Sequence, residues 1–314
     1  MKVKIYSLLA LIAVVIIGCR YYPDISTEDS DDNSTEDDTE QISGVDEAES
    51  VEVEDSQEVL TAWYELPASN NDSRYQYVTH YTQLDSGVDV RNFSLCYDTK
   101  SAGAAWIAYP YHEIYDGDSG RSSSWSSDPL IDDELQPYLK SSYPNSLYDR
   151  GHQIPSADRQ ATSDMNKQTF YYSNSTPQLA RLNQQKWASL EEQVRNQVCS
   201  DTLYVVTGAH YLNSTQTTSD SAGKEVAIPT AYFKVLLRTR SGSSGRSIGE
   251  CDDSELKSIG FWVEHQYYST LPAPVSVEQI EELSGFTLFP HVSKSVKQQA
   301  NIEDWSLSKS LFEL

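Results

Sequence analysis

The chain is short of basic side chains, of sulfur and of long apolar runs, and each shortage removes a class of protein. Only 23 of its 314 residues are Lys or Arg, against 47 Asp and Glu, for a formal net charge of −24. That balance argues against a protein that holds nucleic acid by charge alone. The four cysteines and six histidines form no CxxC pair and no Cys/His grouping, so nothing spells a zinc site. One apolar run, Leu8 to Ile17, is the longest present, which excludes a multi-spanning membrane protein. Composition also excludes collagenous and coiled-coil chains, and no internal repeat is found. What is present is core material. At 38% hydrophobic, with 21 Tyr and 6 Trp, the chain can fill one large domain or two ordinary ones.

The acidity is concentrated near one end. Between Arg20 and Val59 there are 16 acidic residues and one basic; from Leu60 onward there are 31 acidic and 20 basic, a balance of −11. Lys2 and Lys4 precede the apolar run, and Gly18-Cys19 follows it. This is a secretory-signal pattern, and its end resembles the lipobox of bacterial lipoproteins. The resemblance implies a lipidated Cys19 and a protein exported and anchored to a bacterial membrane, the outer membrane on its periplasmic or cell-surface side. Residues 1–19 are then the signal peptide, 20–59 a disordered acidic tether, and 60–314 the folded domain. Of the other cysteines, Cys96 lies in a strand-like stretch and reads as a buried thiol. Cys199 and Cys251 flank strands in polar connections and are the pair expected to join.

Aromatic and β-branched runs predict strands at Tyr75–Tyr81, Asn92–Asp98, Ala104–Tyr111, Leu203–Gly208, Ala231–Leu237 and Ile259–Glu264. Gly117–Asp128 and Ser241–Gly249 read as Ser/Gly-rich loops, and Ser276–Leu283 as a helix. The class is α+β, with a central antiparallel or mixed sheet and flanking helices. In the middle, Thr176 and Pro177 look like the N-cap and first residue of a helix. Leu182, Leu190, Val194 and Val198 give that helix an apolar stripe. Asn183, Trp187, Glu191 and Arg195 recur every fourth residue, so they share a slowly drifting face.

Four features lie together here: Asp149-Arg150-Gly151-His152, Pro155-Ser156-Ala157-Asp158, Ser173-Asn174-Ser175-Thr176-Pro177-Gln178, and Asn183 with Trp187 and Glu191. Together they resemble the DNA/RNA non-specific endonucleases, the ββα-metal (His-Me finger) nucleases that include mitochondrial endonuclease G. Weaker likeness runs from Val78 through Ile228–Lys234 to Phe289. The resemblance implies a metal-dependent endonuclease acting on DNA and RNA. His152 matches its general base and Arg150 a phosphate-orienting residue. Asn183 matches the direct ligand of a Mg²⁺ ion, or of Mn²⁺ or another divalent cation. Glu191 matches a residue reaching that ion through water, and Arg195 a phosphate-contacting arginine. Asn174 matches a polar position supporting the site. The family's further upstream arginine is not placed by any motif.

The residue types suit that chemistry. A histidine can accept a water proton near neutral pH, and an amide oxygen suits a hard cation that keeps most of its water. Between Lys140 and Arg195, basic residues outnumber acidic ones seven to five, a local reversal of the chain's balance. Rival readings are a nucleic-acid-binding surface lipoprotein without turnover, and a phosphodiesterase for small exported substrates. His112-Glu113 lacks the second histidine of a zinc protease. His80, His210, His265 and His291 stand alone and read as structural or surface residues.

Overall fold

The computed structural model describes residues 63–212, 214–267 and 271–313. Cys19, the acidic 20–59 segment and the first residues of the expected domain lie outside them. In chain order the strands are β1 (Tyr75–Gln83), β2 (Asp89–Asp98), β3 (Gly103–Tyr111), β4 (Tyr148–His152), β5 (Ser175–Leu179) and β6 (Leu203–His210). Then follow β7 (Thr217–Ser219), β8 (Glu225–Ala227), β9 (Ala231–Thr239), β10 (Leu256–Glu264) and β11 (Ala273–Val275). Seven of them form one sheet in the order β1-β2-β3-β6-β9-β10-β11, and every pairing is antiparallel.

Both faces of this sheet are covered, so its inner strands are apolar on both sides rather than alternating. In β9 every residue except Arg238 is buried. Tyr232 and Leu236 join one core with Leu182, Trp187, Leu190 and Val194. Phe233, Val235 and Leu237 join the other, with Val277, Ile280 and Val296. The helices are α1 (Ser163–Gln168), α2, α3 (Val277–Ser284) and α4 (Lys294–Lys297). α2 begins as Ala180–Leu182, widens through a π turn at Asn183–Trp187, and continues as Ala188–Arg195. α3 starts in a capping box, with Ser276 Oγ accepting from the Gln279 N–H at 3.1 Å and Gln279 Oε1 from the Ser276 N–H at 2.9 Å.

Two expectations are corrected. Thr176 and Pro177 do not open a helix; they lie in β5, paired with β4, and α2 starts at Ala180. A residue before proline is pushed toward extended backbone, and proline lacks only a donor that a two-stranded ribbon can spare. Cys199 and Cys251 are not joined, for both thiols are free and each has its own partner. Cys199 Sγ accepts from Arg238 at 3.0 Å, while Cys251 Sγ donates to the Ser247 carbonyl at 3.3 Å. Cys96 is buried in β2 as expected.

His265 ties the ribbon to the sheet. Its Nε2 accepts from the Leu179 N–H at 2.8 Å and its Nδ1 donates to the Pro229 carbonyl at 2.7 Å. Only the neutral ring can do both. Burial pushes its pKa down to about 4, partly offset by the Pro229 bond. The folded state thus binds this proton more weakly than the unfolded chain, whose histidines titrate near about 6.5. The stability that His265 contributes is full above that value and declines as pH falls toward about 4. Thermal melts from pH 7 to pH 4 should show a falling midpoint, and His265→Gln should flatten that slope. An unchanged slope would contradict this role.

Candidate active site

β4 and β5 form a separate two-stranded ribbon, with His152 opposite Ser175, Gly151 opposite Thr176 and Arg150 opposite Pro177. Gly151 is required for the close approach, since a Cβ there would lie 2.5 Å from both Cβ and Oε1 of Gln178. α2 leaves directly from β5. This ββα unit brings His152, Arg150, Asn183, Glu191 and Arg195 to one cavity of about 470 Å³, shared with Asp149, Ser156 and Arg121. Its lining includes the exposed residues Arg121, Ser142 and Ala157, so it opens to solvent. A larger cavity, about 800 Å³, lies over β1–β3 around Trp63, Tyr77 and Trp106; no histidine, lysine or arginine lines it. Asp89 is its one charged lining residue, so it offers no imidazole base and no cation to a phosphate.

The His152 ring is part-buried between Trp125, 4.6 Å away, and Phe170, 4.9 Å away edge-on. Its Nε2 is closed off from solvent without a hydrogen-bond partner. Burial, followed by the nearby guanidinium groups of Arg121 and Arg150, pushes its pKa down to about 3, so the ring is neutral at ordinary pH. Arg150 donates to the carbonyls of Leu139 at 2.8 Å and Lys140 at 3.1 Å, and lies over the Trp125 ring at 4.9 Å.

On α2, Asn183 donates its Nδ2 to Asp149 Oδ2 at 2.8 Å, and Gln184 Nε2 donates to the same oxygen at 2.8 Å. Asp149 thereby fixes which end of the amide is used, leaving Asn183 Oδ1 as the free acceptor. Among the described residues no cluster of three His, Cys, Asp or Glu is placed to hold a metal. The donor set is instead a single amide oxygen with the Glu191 carboxylate in the same cavity. Oxygen donors this few fit a hard cation that keeps most of its water.

Glu191 is raised to about 7 by burial, with Lys234 opposing and Asp158 reinforcing the shift. Arg195 donates to Asp158 Oδ1 at 3.0 Å, and the buried Asp158 also accepts from the Tyr109 hydroxyl at 3.0 Å. The Pro155–Asp158 segment therefore anchors Arg195.

Two residues of the sequence motifs, one of them the expected supporting residue Asn174, lie outside the cavity. Trp187 shares the four-residue spacing but is buried in the core, 5.6 Å from the Tyr232 ring. Asn174 is fully buried and cannot meet a substrate. Its Oδ1 accepts from the N–H groups of Gln153 at 3.2 Å and Ile154 at 2.9 Å, while Nδ2 donates to the carbonyls of Ile154 at 3.0 Å and Thr169 at 2.7 Å. It secures the chain just after His152. Asn174→Ala would leave those buried groups unpaired and should cost about 3 kcal/mol. Urea unfolding reads this directly; an unchanged midpoint would contradict the role.

Arg121 also lines the cavity, though no motif in the sequence marks it. It is the sole cation of the Gly117–Asp128 loop, bonded to Ser156 Oγ and lying 5.0 Å over the Phe170 ring. Its only sequence signal is that isolation within a serine- and glycine-rich run.

A family model described as DNA/RNA non-specific endonuclease matches residues 70–295, spanning both the sheet and the ribbon–helix site. The chain belongs to the DNA/RNA non-specific endonuclease family. It is similar to mitochondrial endonuclease G of Bos taurus, 30% identical over 224 residues, which is 64% of this chain and 68% of that one. A nuclease of a Nostoc species is 28% identical over 226 residues, covering 70% and 78% of the two chains. Among solved structures, endonuclease G in complex with EndoGI superposes with a TM-score of 0.53 at 22% identity, over 76% of this endonuclease and 94% of that chain. That likeness concerns the fold, α+β with a large antiparallel sheet. Family membership makes the chain a nuclease, a hydrolase of the divalent-metal-dependent kind.

Proposed function

We propose that this endonuclease hydrolyses DNA and RNA without sequence selectivity, with His152 as general base and Mg²⁺ as the cation. The observation that carries the reading is one open cavity holding a neutral histidine, an amide oxygen oriented by Asp149, and the guanidinium groups of Arg121, Arg150 and Arg195. In the reaction, a water oxygen bonds to phosphorus while His152 takes its proton, and the bond from phosphorus to the 3′-oxygen breaks. Nε2 is closed off from solvent, so the lone pair that takes the water proton would be that of Nδ1. The three arginines neutralise the phosphoryl oxygens, Arg121 filling the part of the upstream arginine.

Asn183 would hold Mg²⁺ directly and Glu191 through an intervening water. When bound, the ion supplies charge stabilisation at the phosphate and at the departing oxygen. Contacts to phosphates position a strand without reading its bases, which accounts for the lack of selectivity. The net acidity of the body then favours product release over tight binding.

The exposed Arg121 and the open cavity favour a polymer over a small substrate. Supercoiled plasmid and ribosomal RNA should be cleaved far faster per phosphodiester than bis(p-nitrophenyl) phosphate. Preference for the small ester would reverse the assignment. Export and anchoring through a lipidated Cys19 belong to the same proposal. Full-length protein from bacterial cells should partition into detergent, and Cys19→Ala should not; partition of both into the aqueous phase would remove the anchor.

A further inference from the structure

The proposed chemistry gives no part to the one aromatic side chain, besides His152 itself, that lines the cavity. Trp125 stands in the Gly117–Asp128 loop, far in sequence from β4, yet lies against His152. Its ring also meets Phe170 edge-on at 5.2 Å, and Arg150 covers it. The loop is fastened on both sides of the indole. Ser122 N–H donates to Asn166 Oδ1 at 2.8 Å; Ser126 N–H donates to the Phe170 carbonyl at 3.2 Å, and the Ser126 carbonyl accepts from Tyr172 N–H at 2.9 Å. Tryptophan is a large apolar body to fasten across a catalytic histidine, and it makes no hydrogen bond to the ring.

We infer that Trp125 is a positioning residue: with Phe170 it clamps the His152 imidazole in one orientation and keeps water from it, so that the base waits in its unprotonated form. This rests on the reading of His152 as the base. Burial is the first cause of the depressed His152 pKa, ahead of the charges of Arg121 and Arg150. Among the other groups at the cavity, Arg195 is cationic and paired with Asp158, the Glu191 pKa is raised by burial, and the Asp149 carboxylate is engaged by Asn183 and Gln184. Phe170 and Trp125 carry no charge. An entering phosphate offsets the guanidinium field and raises the basicity of the ring only once substrate is in place.

The test is an NMR titration of histidine-labelled full chain for wild type, Trp125→Ala and Trp125→Phe, with His152→Gln assigning the signal. Alanine admits water to the ring, so the His152 midpoint should rise by at least about one pH unit, and phenylalanine should retain most of the depression. An unmoved His152 midpoint in a Trp125→Ala protein with a native melt overturns the clamp. Full-rate cleavage by His152→Ala would instead remove the base assignment, so the two failures are distinguishable.

Discussion

Replacing His152 with alanine is expected to lower kcat for plasmid cleavage by about 10³-fold, with KM changed little. The ring is the sole histidine lining the cavity and is held neutral by its surroundings, so no neighbour can assume its part. Glu191 is the nearest alternative, but its raised pKa reflects burial beside Asp158 and Lys234 on another element. The three arginines remain in the variant, which is why substrate binding should survive. Added imidazole should restore part of the lost rate, because the vacated space between Trp125 and Phe170 fits that ring. Stopped assays over a range of plasmid concentrations separate kcat from KM. A rise in KM at constant kcat would make His152 a binding residue.

Asn183→Ala is expected to have the second largest effect, and a different signature. It removes the one amide oxygen that Asp149 leaves free, so the concentration of Mg²⁺ giving half-maximal activity should rise by at least about 10²-fold. Asp149→Ala should produce a smaller displacement in the same direction, about 10-fold, because it frees the Asn183 amide to turn without removing it. The two together should cost little more than Asn183→Ala alone, since both act through one atom. Calorimetry with Mg²⁺ provides a reading independent of turnover. Unaltered metal dependence in Asn183→Ala would show that the cation is held elsewhere.

Much of this site was visible in the sequence because its chemistry is carried by short spacings. Asn183–Arg195 fall on one helix, where four-residue spacing groups them, while Asp149–His152 fall on one strand and were joined to them by the family resemblance of the short motifs. All six expected strands of the large sheet are present, since aromatic and β-branched runs mark strands buried on both faces as well as those buried on one. What was hidden is what depends on distant chain segments. Arg121 and Trp125 reach the cleft from a loop whose composition signals only flexibility. Cys199 and Cys251 look alike in sequence, but their hydrogen-bond partners are set by tertiary packing. Thr-Pro suits both a helix start and an extended dipeptide, and only the pairing of β5 with Gly151 and Arg150 decides between them. Trp187 fits the helical spacing of the site, yet an indole gains more from the core beside Tyr232 than from an open cleft.

Whether the protein is a metal-supported nuclease whose base is His152 is read most directly from degradation of plasmid DNA and total RNA by the purified protein. Four samples suffice: wild type with Mg²⁺, wild type with chelator, wild type with chelator and excess Mg²⁺, and His152→Ala with Mg²⁺. Both polymers should be lost in the first and third samples alone. Degradation by His152→Ala at the wild-type rate, or by wild type in chelator, would contradict this.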